Sequence, residues 1–200
     1  MRFKINPDKP ENEVIKQAIT ALKEGKVILY PTDTVYGIGA NIFDIQAVEK
    51  VYSIKKRPLN KPLSVCVSKI EDIPKIAYLN KDTENIIKDI LPGPFTVILN
   101  KKDNINPVLT AGSNKIGIRI PDNKVCIELA KEFPITTTSA NLSGKPVQES
   151  VEKVLEQLED NIDLIIDTGI CKHGIHSTVI DMTTNPPKIL REGAMVPKFD

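Results

Sequence analysis

Short runs of branched aliphatic residues recur along this chain, and most of them empty into loops of proline, glycine and hydroxyl residues. Lys26 to Tyr30 breaks into Pro31-Thr32-Asp33-Thr34, and Ile135 to Thr137 enters Ser139-Ala140-Asn141-Leu142-Ser143-Gly144. Leu63 to Val67, Phe95 to Leu99, Ile116 to Ile120, Ile162 to Ile166 and Thr178 to Met182 read as further strands, with Ile189-Leu190 a short last one. Runs so short and so apolar predict strands that are covered rather than half-wet. Helical patterns lie between them. Asn12 to Glu24 carries Val14, Ile15, Ala18, Ile19 and Leu22 on one face, with Gly25 as its stop. Asp44 can cap a helix holding Val48, Val51 and Tyr52, and Asp82 one that runs to Leu91, where Pro92 ends it. Val125 to Glu132 and Val151 to Leu158 complete the set. The alternation is irregular, so the expected fold is α/β, a mixed sheet with helices packed on it, in a single domain over residues 1–200.

Composition narrows the partners. Aromatic residues make up 4% of the chain and Trp is absent, so the core must be aliphatic. A net charge of +1 excludes a protein that holds nucleic acid by bulk charge alone. Cys66, Cys126 and Cys171 are odd in number and far apart, which fits a reducing compartment rather than a disulfide framework. The start, Met1-Arg2-Phe3-Lys4, has no signal-like apolar stretch, and no run approaches the roughly 20 residues of a membrane span. A cytoplasmic protein with no membrane partner is expected.

Neither familiar phosphate loop is present. Gly144-Lys145 has Ser139 where the first glycine of a P-loop belongs, and Gly37-Ile38-Gly39 is half of a dinucleotide fingerprint. Nucleotide phosphates would instead find Lys55, Lys56, Arg57 and Lys61, crowded into one stretch stiffened by Pro58 and Pro62. Arginine offers a planar fork to phosphate oxygens and lysine a mobile point charge. The same run also reads as a solvated basic turn. The hydroxyl loops after Tyr30 and after Ile135 sit where ligands enter α/β sheets, or else bond to their own backbone, Asp33 then being a turn cap. Cys171, His173 and His176 lie close together but lack a fourth ligand at zinc-like spacing, so no protein-held metal is expected.

Five stretches in this order resemble the YrdC-like threonylcarbamoyl-AMP synthase family: Tyr30 to Gly39, Lys55-Lys56-Arg57-Pro58 with Lys61-Pro62-Leu63, Leu91 to Thr96, Ser139 to Gly144, and Ser177 to Asp181 with Leu190-Arg191-Glu192-Gly193. The resemblance implies an open twisted α/β sheet with a concave basic surface. It implies a nucleotidyltransferase that makes threonylcarbamoyl-AMP and pyrophosphate from L-threonine, bicarbonate and ATP with Mg²⁺, and hands the product to a tRNA threonylcarbamoyl-transferase. Lys55 and Arg57 would be catalytic. Arg57, Lys61, Lys115, Asn141, Glu149 and Arg191 would hold ATP, and Thr34, Cys66, Arg119, Ser139 and Ser177 would hold threonine. Arg119 suits the amino-acid carboxylate, because a guanidinium fork matches a planar anion. Lys55 and Arg57 are expected to be exposed in a cleft. The chain departs from the family pattern at Cys66, Lys115, Val147-Gln148-Glu149 and His176, and resembles the short, single-domain form. Two other functions use the same residues. One is a double-stranded RNA or tRNA-binding module without catalysis, the other carbamoyl transfer in hydrogenase maturation, whose proteins carry zinc-finger segments that this chain lacks.

Overall fold

A computed structural model describes residues 1–148, 150–159 and 161–197. In chain order the elements are β1 (Arg2–Lys4), α1 (Asn12–Lys23), β2 (Ile28–Tyr30), β3 (Gly37–Gly39), α2 (Ile45–Ile54), β4 (Val65–Cys66), a 3₁₀ turn (Ile70–Lys75), α3 (Lys81–Ile90), β5 (Phe95–Asn100), β6 (Lys115–Arg119), α4 (Lys124–Leu129), β7 (Ile135–Thr136), β8 (Thr138–Ser139), α5 (Val151–Leu158), β9 (Leu164–Asp167), β10 (Thr178–Asp181) and β11 (Lys188–Arg191). The α/β class and the mixed character of the sheets are as expected, but the strands divide between two sheets. One has the order β1-β9-β2-β3-β8 and the other β11-β10-β5-β6-β4-β7.

Period-two alternation explains why the strands read as unbroken apolar runs. On β2, Ile28 and Tyr30 face a cluster with Ile15, Ala18 and Leu22 of α1 and Val125 and Leu129 of α4, whereas Leu29 faces the larger core. On β9, Leu164 and Ile166 turn to α1 and α4, and Ile165 to the larger core. That larger core gathers Val48 and Val51 of α2, Val97 and Leu99 of β5, and Ile116 and Ile118 of β6.

Local signals set most helix ends. Asp44 accepts the Ala47 amide at 3.0 Å and caps α2. The expected cap of α3 is corrected: Asn80 takes that place, its Oδ1 accepting the Thr83 amide at 2.8 Å, while Asp82 sits in the first turn. An acid there still opposes the positive end of the helix dipole. Gly25 follows α1 with φ +72, and a Cβ on it would lie 2.7 Å from Asp44 Oδ2, so it both ends one helix and leaves room for the cap of the next.

Candidate active site

The two sheets meet where the chain passes from β7 to β8. Val65 of β4 pairs with Thr136, Ser139 of β8 pairs with Gly37, and between them the Thr137 amide donates to the Ser64 carbonyl at 2.8 Å. Thr136 pins this crossing. Its Oγ1 donates to the Ile38 carbonyl and accepts from the Ala40 amide, both at 2.9 Å, and its carbonyl accepts the Tyr30 hydroxyl at 2.9 Å. Loops leaving β2, α2, β6 and β7 are thereby drawn together with the approach to β10. They enclose a cavity of about 120 Å³ lined by Thr32, Thr34, Arg57, Thr96, Arg119, Thr137, Ser139, His176, Ser177 and Arg191, among others.

Asp33 and Arg119 organise its floor. Arg119, at the end of β6, donates from Nη2 to Asp33 Oδ1 and to Thr34 Oγ1, both at 2.9 Å. The pair is dry, with 7% of the Arg119 side chain and 0% of the Asp33 side chain exposed. Thr32 Oγ1 accepts from the Thr34 and Val35 amides and donates to the Val35 carbonyl at 2.7 Å, which fixes the loop that carries Asp33. Among the described residues, Arg119 Nε and Thr137 Oγ1 are buried without a hydrogen-bond partner. An unpaired buried donor costs about 1–3 kcal/mol, and in a cavity water, an ion or a ligand can complete it.

Two further guanidinium groups, those of Arg191 and Arg57, line the cavity. Arg191 donates through Nε at 3.2 Å and Nη2 at 2.9 Å to the Ser177 carbonyl, and Ser177 Oγ lies 2.8 Å from Thr96 Oγ1. Arg57 donates to the carbonyls of Lys61 at 3.1 Å and Pro62 at 2.8 Å, which shapes the basic turn and leaves Lys61 exposed. Burial pulls the pKa values of Arg57 and Arg191 down, and Arg119 adds to the effect on Arg191. Both guanidinium groups keep their charge at neutral pH. His176 is lowered from 6.5 by burial and then by Arg191, Lys55 and Arg119.

The structure thus brings Arg57, Thr34, Arg119, Ser139, Ser177 and Arg191 to one cavity. Lys55 is the main correction. It is 1% exposed, not open to the cleft, and its ammonium donates to the carbonyls of Ser139 and Asn141, the latter at 2.8 Å, with Asn141 Oδ1 at 3.4 Å. The Ser143 amide bonds back to the Lys55 carbonyl at 2.9 Å. Burial first, and then Arg57, push its pKa down to about 7, while three oxygens stand ready for its three hydrogens. Lys55 therefore holds the Ser139–Gly144 loop in place.

Asn141 is committed to that loop as well. Its Oδ1 accepts from Ser139 Oγ at 2.6 Å, and its Nδ2 donates to the carbonyls of Leu142 and Lys145. Cys66 is fully buried in a cluster with Tyr30, Cys126 and Ile135, beside its strand partner Arg119 and outside the cavity lining. Lys115 shares one face of β6 with Gly117 and Arg119, four residues and about 13 Å along the strand from Arg119. There its ammonium pairs with Asp181 at 2.9 Å. A Cβ at Gly117 would sit 3.0 Å from Ser64 Oγ and 3.2 Å from Thr96 Cγ2, so these two side chains close over the glycine between the two cations. Glu149 lies outside the described residues. Cys171, His173 and His176 do not form a metal-ligand group, and none of three or more His, Cys, Asp or Glu occurs among the described residues. The sequence reading missed Asp33, Thr96 and Thr137 as site residues. The signal for Asp33 was an acid among hydroxyls directly after a buried strand.

The Sua5/YciO/YrdC family model, described as telomere recombination, matches residues 20–193. A putative threonylcarbamoyl-AMP synthase of Methanocaldococcus jannaschii is 43% identical over 171 residues, which cover 86% of this chain and 81% of the relative. The crystal structure of P. abyssi Sua5 complexed with L-threonine superposes with a TM-score of 0.91 at 35% identity, covering 96% of this chain and 57% of that one. E. coli YciO superposes with a TM-score of 0.88 at 30% identity, over 96% of this chain and 95% of its own.

Proposed function

Because this chain belongs to the Sua5/YciO/YrdC family, we propose that it is a threonylcarbamoyl-AMP synthase, joining L-threonine, bicarbonate and ATP into threonylcarbamoyl-AMP with release of pyrophosphate. The observation that carries this reading is the buried Arg119 in the cavity lining, whose Nε lacks a hydrogen-bond partner. A cavity of about 120 Å³ is well below the roughly 300–1,000 Å³ that encloses drug-sized ligands, and suits a small amino acid. Threonine placed with its carboxylate on the free Nε edge of Arg119 would satisfy that donor. Thr34, Thr137, Ser139 and Ser177 then meet its other polar groups.

ATP is too large to share that space and would lie across the mouth, its phosphates between Arg57, Lys61 and Arg191. Lys115, at the start of β6, and Glu149 are kept as further candidate nucleotide contacts. Mg²⁺ would arrive with the triphosphate as part of the substrate. The chemistry needs no covalent participation by the protein. The carbamate oxygen attacks the α-phosphorus, the bond to the β-phosphate breaks, and the cations stabilise charge gathering on pyrophosphate. Lys55 contributes by fixing the Ser139 wall.

We take residues 1–200 as one catalytic unit working in the cytoplasm and supplying a tRNA threonylcarbamoyl-transferase. No helix among the described residues is long and apolar enough to cross a membrane. A non-catalytic RNA-binding module would use the same cations but gives no reason for buried orphan donors in a small cavity.

Mass spectrometry of a reaction run without tRNA tests the assignment. A product with the mass of threonylcarbamoyl-adenylate is expected, and AMP without it would contradict the reading. Arg57→Ala should leave the melting temperature unchanged within error, because the guanidinium bonds only two loop carbonyls at the surface. It should lower kcat/KM for ATP by about tenfold to a hundredfold, the value of one charge-assisted contact. Steady-state kinetics check this, and wild-type behaviour would return the basic run to a solvated turn.

A further inference from the structure

His176 lines the cavity, yet none of the steps above uses it. Its backbone is fixed. The Ala194 amide donates to its carbonyl at 2.9 Å, and a Cβ at Gly193 would overlap that carbonyl and come within 2.6 Å of the Ser177 carbonyl oxygen. The imidazole is half-buried and has no hydrogen-bond partner among the described residues. The charges that act on it are Arg191 from β11, Lys55 at the end of α2 and Arg119 from β6, while Arg57 shares the cavity lining and Asp33 is turned to Arg119. Burial and these cations keep it neutral at physiological pH.

Carbamate formation requires a base somewhere. Threonine reaches the cavity as an ammonium, which has no lone pair to attack carbon. The other groups around it are unsuited to take the proton. The arginines do not deprotonate, the hydroxyls are poor bases, and the Lys55 nitrogen is turned to the carbonyls of Ser139 and Asn141. We propose that His176 is the general base of carbamate formation, accepting one proton from the α-ammonium of threonine bound in the cavity. This inference rests on the synthase reading.

The step balances as follows. The imidazole takes one ammonium proton and becomes imidazolium, leaving a neutral amine. The amine nitrogen forms a bond to the carbon of bicarbonate, whose bond to its hydroxyl oxygen breaks. That hydroxide leaves with a second amine proton as water, and the product is the carbamate anion. The imidazolium then returns its proton to solvent. Because the proton only moves from ammonium to imidazole, the site gains no net charge among its cations, and those cations favour its loss from the ammonium as much as they oppose its arrival.

Two reactions separate this role from a structural one. Threonine-dependent pyrophosphate release by His176→Gln and His176→Asn at neutral pH should fall about a hundredfold, the scale of general-base catalysis, and recover as alkaline pH supplies free amine. Preformed threonylcarbamoyl-adenylate and pyrophosphate should still yield ATP within about twofold of the wild-type rate, since that direction breaks the bond between the carbamate oxygen and the α-phosphorus and forms the phosphoanhydride without this proton transfer. Wild-type kcat/KM for threonine should also drop along a one-proton limb below the ordinary histidine value of about 6.5, a limb absent from the variants. Equal loss in both directions by a folded variant, or a variant with an undiminished forward rate, overturns the assignment. If neither variant folds, the absence of the acid limb in the wild type overturns it. A wild-type protein that runs neither reaction removes the synthase reading and this base with it.

Discussion

Replacing Arg119 with alanine should lower kcat/KM for threonine by more than about a hundredfold and destabilise the protein by about 3–5 kcal/mol. Both effects have one origin. The guanidinium neutralises Asp33, whose side chain is 0% exposed, and it belongs to a cavity-lining residue whose Nε has no partner. Without it, a carboxylate is left buried and unpaired, and threonine loses the charged Nε donor assigned to its carboxylate. The two roles can be pulled apart. The double variant Arg119→Ala/Asp33→Ala should regain much of the stability, because no uncompensated charge remains, and none of the threonine binding. The Kd for ATP should change far less than that for threonine in both proteins. Chemical denaturation and calorimetric titration check the prediction, and threonine affinity within a few-fold of wild type would remove Arg119 from the amino-acid site.

Lys55→Met should lower stability by about 2–5 kcal/mol and raise the KM of both substrates. Methionine matches the length of the stem but leaves the carbonyls of Ser139 and Asn141 without their donor, at about 1–3 kcal/mol each. The loop from Ser139 to Lys145 hangs on these bonds, on the Ser143 amide to the Lys55 carbonyl, and on Asn141 Nδ2 to the Lys145 carbonyl. Its loosening displaces Ser139, which lines the cavity. A direct phosphate contact by Lys55 would behave differently, raising the KM for ATP alone at unchanged melting temperature. Thermal melts and two-substrate kinetics on the same preparation separate these outcomes.

The buried strands were legible because β2 and β9 are covered on both faces, so Ile28, Leu29, Leu164 and Ile165 leave no polar gap in the sequence. β3 was not legible. Gly37 and Gly39 carry no strand preference of their own, and they become strand because the Tyr30 ring lies over them, 3.3 and 2.9 Å from where their Cβ atoms would be. The division into two sheets was hidden for a related reason. It depends on Thr136 bonding to Ile38 and Ala40, nearly a hundred positions away, and no local pattern encodes such a contact.

Within the site, Arg57, Ser139 and Ser177 are expected from motif resemblance, and all three line one cavity. Asp33 was read only as a possible turn cap because its partner Arg119 is 86 residues distant. Lys55 misled for a physical reason. Charge runs are usually solvated, but here one ammonium of the run meets a nest of oxygens that makes its burial tolerable. The neighbouring Lys56 does follow the rule and pairs with Glu159 at the surface.

Pyrophosphate release in a reaction containing ATP and Mg²⁺ but no tRNA tests the central claim most directly. Release should occur only when L-threonine and bicarbonate are both present, since one supplies the amine and the other the attacking oxygen. Serine should support a slower rate, the missing methyl costing roughly 1–3 kcal/mol. Release that ignores threonine or bicarbonate, or none under any of these conditions, would contradict the account.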